Sequence, residues 1–184
     1  TLVVNPPQLY ANGLTTSQVT ITVTRNGVLV PNGTRIAVSA DPSLSFNSLG
    51  GTISGASIGT SVDGRFLVFQ TLGGQVVVTY TSPDLVAQGF STSGNASTVV
   101  YSVDLDTRPV GQLGIGNVTL TGPSTAQGSA NPTSIVANGS TTSTITFNQV
   151  KDTNGTVVPN GTTIGVRVAS LYNDSFAFFT GGGG

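Results

Sequence analysis

The stretch that decides the fold is Gln18-Val-Thr-Ile-Thr-Val-Thr24, followed at once by Arg25-Asn-Gly-Val-Leu-Val30. Apolar and polar residues alternate in the first part, and a side-chain period of two is typical of a strand with one face in a core. The Asn-Gly pair tolerates the positive φ angles that a two-residue type I′ turn requires. The sequence therefore predicts a β-hairpin whose first strand buries its valines and isoleucine.

The same passage occurs twice in the chain. Ala11-Asn-Gly13 and the strand after it recur as Ala137-Asn-Gly139 and Thr144–Phe147, and Pro31-Asn-Gly-Thr34 recurs as Pro159-Asn-Gly-Thr162. These positions place two extra residues in the second copy, near the junction of strand and turn. A unit of about a hundred residues built of short strands favours β-sandwich modules in series over a solenoid, whose repeats are about 20–50 residues.

Further strands can be placed between the two copies. The segments 65–70 and 75–80 contain consecutive apolar residues, which predicts central strands covered on both faces. A closing strand follows at 98–103, and then a segment rich in Gly and Pro. We therefore expect an all-β fold of tandem sandwiches, with a first module over 1–105, a linker over 106–116 and a second module over 117–184 that opens with the strand 118–120.

The second module is expected to be incomplete within this chain, because no counterparts of the central strands 65–70 and 75–80 follow its hairpin. Half a sandwich leaves apolar faces in water, which costs several kcal/mol at about 25 cal/mol per Å². Two explanations remain open. Either the natural chain continues past Gly184, or another chain fills the gap.

The low charge of the chain excludes several classes of partner. Six basic and seven acidic residues make up 7% of the sequence, against a usual share of about 25%. No basic patch is available to neutralise phosphates, so we expect no nucleic-acid binding and no attachment to an anionic membrane. No apolar run approaches the roughly 20 residues that a membrane-spanning helix needs, so we expect no membrane insertion in this segment.

The chemistry of most enzymes is also missing. His, Cys and Glu do not occur, so the usual proton shuttles and thiol nucleophiles are absent, and we expect a protein that is not an enzyme and needs no cofactor. Asp104 and Asp106 are weak candidates for a calcium site, because hard cations take oxygen ligands. The alternative is a solvated linker in which Arg108 forms a weak ion pair with one of them.

The sequence offers two further classes of site. Glycosylation at Asn-x-Ser/Thr is possible by sequence, but Asn-Gly turns account for most of the matches. The seven acceptors are Asn32, Asn95, Asn117, Asn138, Asn154, Asn160 and Asn173. A sugar-binding aromatic platform is disfavoured, because the four tyrosines lie near strand positions where core packing is expected. They are Tyr10, Tyr80, Tyr101 and Tyr172.

An ordered series of short motifs resembles the bacterial immunoglobulin-like repeats of the invasin and intimin adhesin family. The series comprises Ala11-Asn-Gly13, the alternating strand, Val30-Pro-Asn-Gly-Thr34, Gly50-Gly-Thr-Ile-Ser-Gly55, Asp63-Gly-Arg-Phe66 and Gly74-Gln-Val-Val-Val78. The resemblance implies tandem immunoglobulin-like β-sandwiches, an extracellular place on the bacterial cell surface, and a non-catalytic role as a structural stalk or adhesion segment.

The partners expected from this resemblance are neighbouring immunoglobulin-like domains of the same or an adjacent chain. The alternative function is a self-assembling subunit of an extracellular filament or surface layer, a homo-polymer in which β-strand donation between chains completes the second sandwich.

Overall fold

The computed structural model describes residues 1–44, 48–85, 96–106 and 111–166. Within them the chain forms fourteen β-strands and a single 3₁₀ turn, Pro42–Leu44. The strands are β1 (Leu2–Asn5), β2 (Gln8–Tyr10), β3 (Thr16–Thr22), β4 (Thr24–Arg25), β5 (Val28–Leu29), β6 (Arg35–Ser39), β7 (Thr52–Ser54), β8 (Gly59–Thr60), β9 (Leu67–Gln70), β10 (Gln75–Thr81), β11 (Ala96–Asp104), β12 (Gly111–Thr121), β13 (Thr125–Asn131) and β14 (Thr144–Lys151).

Two sheets enclose the main core. A four-stranded sheet has the order β1-β3-β10-β7, and a six-stranded sheet has the order β2-β12-β11-β6-β9-β8. One buried cluster joins inward side chains of both, such as Val19 and Ile21 of the first sheet with Ile36 and Val118 of the second. The predicted all-β sandwich is confirmed, because the alternating residues of β3 meet a second sheet and not solvent.

The opening hairpin forms as predicted. β4 pairs antiparallel with β5, and the two residues between them have positive φ angles of 51° at Asn26 and 79° at Gly27. This is the backbone of a type I′ turn, whose twist matches that of the strands it joins.

One detail of the prediction for the central strands is wrong. β10 buries Val76, Val78 and Tyr80, while Val77 between them is 51% exposed, so only one face of this strand is covered. Despite its consecutive valines, β10 is therefore an ordinary strand with one face in the core and the other in solvent. In β9, by contrast, the neighbouring residues Val68 and Phe69 are both buried.

Two predictions are wrong for the residues of β12. Residues 111–116 were predicted to be part of a linker, and residues 118–120 were predicted to open the second module. β12 pairs with β11 and with β2, so it belongs to the first sandwich, and β11 is an interior strand and not the closing one. Gly116 suggested a flexible linker, but it makes room for the facing sheet. A Cβ at this position would lie 2.8 Å from Val4 Cγ2 and would also collide with Leu2.

The chain changes sheets at its two adjacent prolines. β1 forms an edge of the four-stranded sheet and ends just before Pro6, and β2 then joins the edge of the other sheet. Ser17 on β3 donates a hydrogen bond from its hydroxyl to the carbonyl of Pro6, which fixes the crossing segment to the sheet that it leaves.

We expect Gly51→Ala to destabilise the sandwich more than Gly59→Ala. Both glycines have positive φ angles, of 139° and 158°, but an added Cβ at Gly51 meets the ring of the fully buried Tyr80, and at Gly59 it meets nothing within 4 Å. Overpacking against a fixed ring costs about 1–3 kcal/mol. Denaturant unfolding of the two variants measures the difference, and equal losses would contradict this account.

Candidate functional site: the junction of the two repeats

The two aspartates considered for calcium each face an arginine. Asp104 is buried, and its Oδ2 lies 2.8 Å from Arg25 Nη2. Asp106 Oδ1 lies 2.9 Å from Arg35 Nη2, and the backbone N–H of Arg35 donates to Oδ2 at 2.7 Å. These contacts with Arg35, led by its backbone N–H, hold the pKa of Asp106 below its ordinary value.

Each carboxylate is thus paired with an arginine, but the solvated linker expected as the alternative to a cation site is wrong at Asp104, which lies buried at the end of β11. The arginines come from distant parts of the first module, whereas Arg108, the partner expected from sequence, lies outside the described residues. In the described part of the chain, no group of three or more acidic, His or Cys side chains gathers to hold a metal ion.

Two other aspartates, Asp41 and Asp63, line an open cleft of about 520 Å³ together with Arg65. Asp63 accepts hydrogen bonds from the Ser61 hydroxyl and from Arg65, whose Nε lies 3.0 Å from Oδ2. These bonds lower the pKa of Asp63 to about 2. A carboxylate with so low a pKa is ionised at neutral pH and is a weak base, so Asp63 is a poor candidate for a general acid or a general base.

The described tyrosines use their hydroxyl groups within the protein. Tyr80 is fully buried and donates to the carbonyl of Gly50 at 2.8 Å, and Tyr101 donates to the carbonyl of Leu44 at 3.1 Å. The core position predicted for Tyr80 is confirmed, and Tyr172 lies outside the described residues. Tyr10 differs from these two, because its partner belongs to the second copy of the repeat.

The second copy pairs its strands as the first copy does. β13 and β14 are antiparallel, with Gly128 opposite Phe147 and Asn131 opposite Thr144. β1 and β3 show the same register at the corresponding positions, 2 with 21 and 5 with 18. The sequence duplication is therefore also a duplication of backbone pairing.

The side-chain hydrogen bonds that shape the loops are repeated as well. The Oδ1 of Asn12 accepts from the backbone N–H groups of residues 14 and 15, and the Oδ1 of Asn138 accepts from those of residues 140 and 141. Ser143 donates to the carbonyl of Pro132 at 2.6 Å, as Ser17 does to that of Pro6. Sequence reasoning treated these asparagines as generic turn residues, although their recurrence at matching positions was a signal of this shared role.

The extra length of the second copy is accommodated in part by a bulge. The register of β13 against β14 shifts between residues 125 and 127, and Gln149 on the opposite strand has a φ angle of 50°. An inserted residue that is left unpaired in one strand bends the strand and increases its twist.

Two hydrogen bonds and one close approach connect the two copies at their junction. The hydroxyl of Tyr10 donates to Asp152 Oδ2 at 3.1 Å, and that of Thr163 donates to Asp84 Oδ2 at 2.9 Å. A Cβ at Gly161 would also lie 3.1 Å from Leu14 Cδ1. Position 152 corresponds to Thr24 in the first copy, so the carboxylate that makes this contact belongs to the second copy alone.

Asp152 organises its own turn in addition to the junction. Its Oδ1 accepts from the backbone N–H groups of Asn154 and Thr156, both at 2.9 Å. Burial acts to raise the pKa of Asp152, but the hydrogen bonds from Thr156, Tyr10 and Asn154 outweigh it and hold the pKa below 3.8. Desolvation, and then the bond to Asp152, raise the pKa of Tyr10 above 10.0.

The two pKa shifts indicate the pH range over which the Tyr10–Asp152 hydrogen bond stabilises the folded state. A carboxyl group with a lowered pKa stabilises the folded state above its ordinary value of 3.8, and the effect is lost as pH falls through the folded pKa. A phenol with a raised pKa stabilises it below 10.0, and the effect is lost as pH rises through the folded pKa. The contact is therefore maintained throughout the neutral range.

The predicted glycosylation acceptors that the structure describes all lie at exposed positions, and their modification stays a prediction. They are Asn32, Asn117, Asn138, Asn154 and Asn160. The other two, Asn95 and Asn173, lie outside the described side chains.

No family model matches the chain, and no curated protein matches it. Among solved structures it is similar to the D0–D1 domain of intimin, with 18% identity over 83% of this chain and 63% of that chain, at a TM-score of 0.44. It is also similar to invasin, described as a bacterial integrin-binding protein, with 19% identity over 84% of this chain and 26% of that chain, at a TM-score of 0.46.

A third similar structure is residues 27–141 of a conjugate transposon protein from Bacteroides vulgatus, with 11% identity, a TM-score of 0.36, and coverage of 64% of this chain and 82% of that one. Intimin and invasin are members of the family whose repeats the sequence resembles, while the all-β class of this chain rests on its own strands. This chain spans less than two thirds of either. The function proposed below therefore rests on its own residues.

The part of the chain that the structure describes contains no helix long and apolar enough to cross a membrane.

We expect Arg25→Gln to destabilise the first sandwich more than Arg35→Gln. The first change removes an ion-pair partner from Asp104, whose side chain is only 3% exposed, and weakening the contacts of a buried charge costs about 1–3 kcal/mol. Asp106 is 30% exposed, so solvent replaces its lost partner and the loss stays within about 1 kcal/mol. Urea unfolding of both variants provides the measurement, and the reverse order would contradict this assignment.

We expect Tyr10→Phe to loosen the second copy without unfolding either part. The substitution keeps the ring but removes the hydroxyl that holds Asp152, so ¹⁵N relaxation should show faster independent motion of residues 144–157. Tyr101→Phe is the matched control, because it removes a hydroxyl bond made entirely within the first module. Identical relaxation in the two variants would show that the hydroxyl of Tyr10 does not hold the junction.

Proposed function

We propose that this chain is a structural segment of an extracellular bacterial surface protein, in which immunoglobulin-like sandwiches follow one another as a stalk or adhesion rod. The observation that carries the proposal is the repeated strand register, with residues 2 to 5 opposite 21 to 18 in one copy and 128 to 131 opposite 147 to 144 in the next. Serial use of one folded unit is the organisation of a spacer and not of an active site.

The junction supports a mechanical role. β12 leads directly through Gly122 and Pro123 into the second copy, and Ser124 is already hydrogen-bonded to the carbonyl of Lys151 at 2.8 Å. The Tyr10–Asp152 and Thr163–Asp84 contacts then limit how the copies turn against each other. Load applied along the chain passes through paired strands and this short, braced connection.

The chemistry of the residues supports a non-catalytic protein. The sequence has no His, Cys or Glu, and the described carboxylates at 63, 104 and 106 form ion pairs with arginines. An uncharged polar surface rich in Thr, Ser, Asn and Gly is consistent with an extracellular place, which is proposed here together with the bacterial origin.

The runner-up function, a self-assembling filament or surface-layer subunit, is favoured by one observation. Apolar residues of the second copy are exposed where their counterparts in the first copy are buried, which is the state of a sandwich that a neighbour completes. This runner-up predicts association of the isolated chain, whereas the stalk proposal does not.

Light scattering on the purified chain separates the two functions. A stalk segment should elute as a monomer of 18.5 kDa, plus any glycan mass that an intact-mass measurement reveals. Small-angle scattering on the same monomer should give an elongated particle, because the copies follow one another in series. Long polymers at micromolar concentration would overturn the stalk proposal.

A further inference from the structure

An asparagine followed by a glycine is prone to spontaneous deamidation. The backbone nitrogen of the glycine attacks the Cγ of the preceding side chain, and no Cβ on the glycine hinders this approach. Such pairs recur along the chain, beginning at Asn12, Asn26, Asn32, Asn138, Asn154 and Asn160. Because the two reacting residues are the same in every pair, a large difference in their reactivity must come from the folded environment.

Asn12 is protected by burial and by its own hydrogen bonds. The residue is only 4% exposed, and its Oδ1 accepts from the backbone N–H groups of Leu14 and Thr15, both at 3.0 Å. A Cβ at Gly13 would lie 3.3 Å from the Cβ of Asp84, so the glycine is closely packed as well. Reaction here requires the loss of two hydrogen bonds at a site that water reaches poorly.

Asn32 is exposed, but the sandwich holds both of its reacting groups. Its Oδ1 accepts a hydrogen bond from the backbone N–H of Gly73 at 2.7 Å. The N–H of Gly33, whose nitrogen would attack, donates to the carbonyl of the buried Thr71 at 2.9 Å. Both bonds must break before the side chain and the nitrogen can meet.

Asn26 is also exposed, and it lies in a hairpin that is held much more weakly. β4 and β5 are joined by the residue pairs 24–29 and 25–28, and all four of these residues are exposed. A Cβ at Gly27 would meet nothing within 4 Å, so the space around the attacking nitrogen is open to water. Short exposed ladders open at a low cost in free energy, and this lets the side chain reach the geometry of attack.

We propose that Asn26 is a site of spontaneous deamidation, and that the fold directs this modification to Asn26 and away from Asn12 and Asn32. The nitrogen of Gly27 forms a bond to Cγ of Asn26, the Cγ–Nδ2 bond breaks, and the side-chain nitrogen leaves as ammonia with the proton of the Gly27 N–H. Water then opens the cyclic imide at either carbonyl, which gives aspartate or isoaspartate at position 26.

Either product changes the turn beside a buried carboxylate. Arg25 Nη2 lies 2.8 Å from Asp104 Oδ2, and the reaction adds a second carboxylate on the residue next to this arginine. Isoaspartate also routes the backbone through its side chain and so lengthens a turn whose φ angles are 51° and 79°. We expect isoaspartate to break the pairing of β4 with β5, whereas aspartate, which tolerates a positive φ, keeps it.

The test incubates the full chain in mildly alkaline buffer, which favours the deprotonated backbone amide, and follows each asparagine by mass spectrometry of chymotryptic peptides. Cleavage after Leu29 separates Asn26 from Asn32, and fragment ions distinguish Asn26 from Asn12. We expect Asn26 to react about tenfold faster than Asn32 or more, because two hydrogen bonds must break before Asn32 reacts. Methylation by an isoaspartyl methyltransferase should detect the product.

Two controls separate the effect of the fold from the chemistry of the dipeptide. In the chain unfolded by urea, the rates at Asn12, Asn26 and Asn32 should become similar, since the protecting contacts are gone. Asn26→Ser should remove most of the early isoaspartate signal from the folded chain, whereas the matched variant Asn32→Ser should leave it nearly unchanged.

The second copy provides a matched turn in which the glycine nitrogen is engaged. The N–H of Gly155 donates to the carbonyl of Asp152 at 3.0 Å, and Asp152 Oδ1 accepts from the N–H groups of Asn154 and Thr156. We therefore expect Asn154 to react more slowly than Asn26. Asp152→Ala should accelerate the reaction at Asn154 and leave the rate at Asn26 unchanged.

Several results would overturn the proposal. Equal rates at Asn26 and Asn32 in the folded chain would show that the hydrogen bonds of Asn32 do not protect it, and a faster reaction at Asn12 or Asn32 would move the site. Selectivity that persists in urea would place its origin in the neighbouring sequence and not in the fold. Each of these outcomes leaves the stalk proposal intact.

Discussion

The packing of the inward face of β3 against the opposite sheet is the interaction on which the first sandwich depends. Val19, Ile21 and Val23 are at most 1% exposed, and burying each such side chain contributes about 1.5–3 kcal/mol. β1 and β10 pair with the two edges of this strand, so its position sets theirs. Residue 116 in the facing sheet must be glycine, because Leu2 and Val4 of β1 occupy the space that a side chain there would need.

The second copy shows that forming the hairpin and burying its apolar side chains are separate steps. Its turns, its Asn138 hydrogen bonds and its strand register are those of the first copy, yet Ile145 and Phe147 remain exposed where their counterparts Val19 and Ile21 are buried. Short-range hydrogen bonds therefore form the hairpin, and only a second sheet gives it a core. The contact of Asp152 with Tyr10 then attaches this partly uncovered hairpin to the first sandwich.

Much of the fold followed from residue pattern, while the boundary between modules did not. The alternation of Val19, Ile21 and Val23 and the Asn26-Gly27 turn were predicted correctly, because side-chain period and positive φ are local properties. The glycines of β12 suggested a linker, because the same absence of a side chain serves a flexible segment and a close contact between sheets. Likewise, Arg108 was the expected partner near Asp104 and Asp106 but lies outside the described residues, and the pairing of these aspartates with Arg25 and Arg35 was not predicted.

The sequence by itself determined the all-β class, the duplication, the hairpin turns and the shortage of reactive groups, since each depends on residue type and spacing along the chain. Only the tertiary structure decided that β12 completes the first sandwich, that the carboxylates are matched with arginines, and that Tyr10 meets Asp152 across the junction. Those outcomes depend on which distant segments become neighbours. The apolar pattern of the sequence does not distinguish between the many strand pairings that would bury the same residues. Side-chain volume and hydrogen-bond partners in three dimensions choose among them.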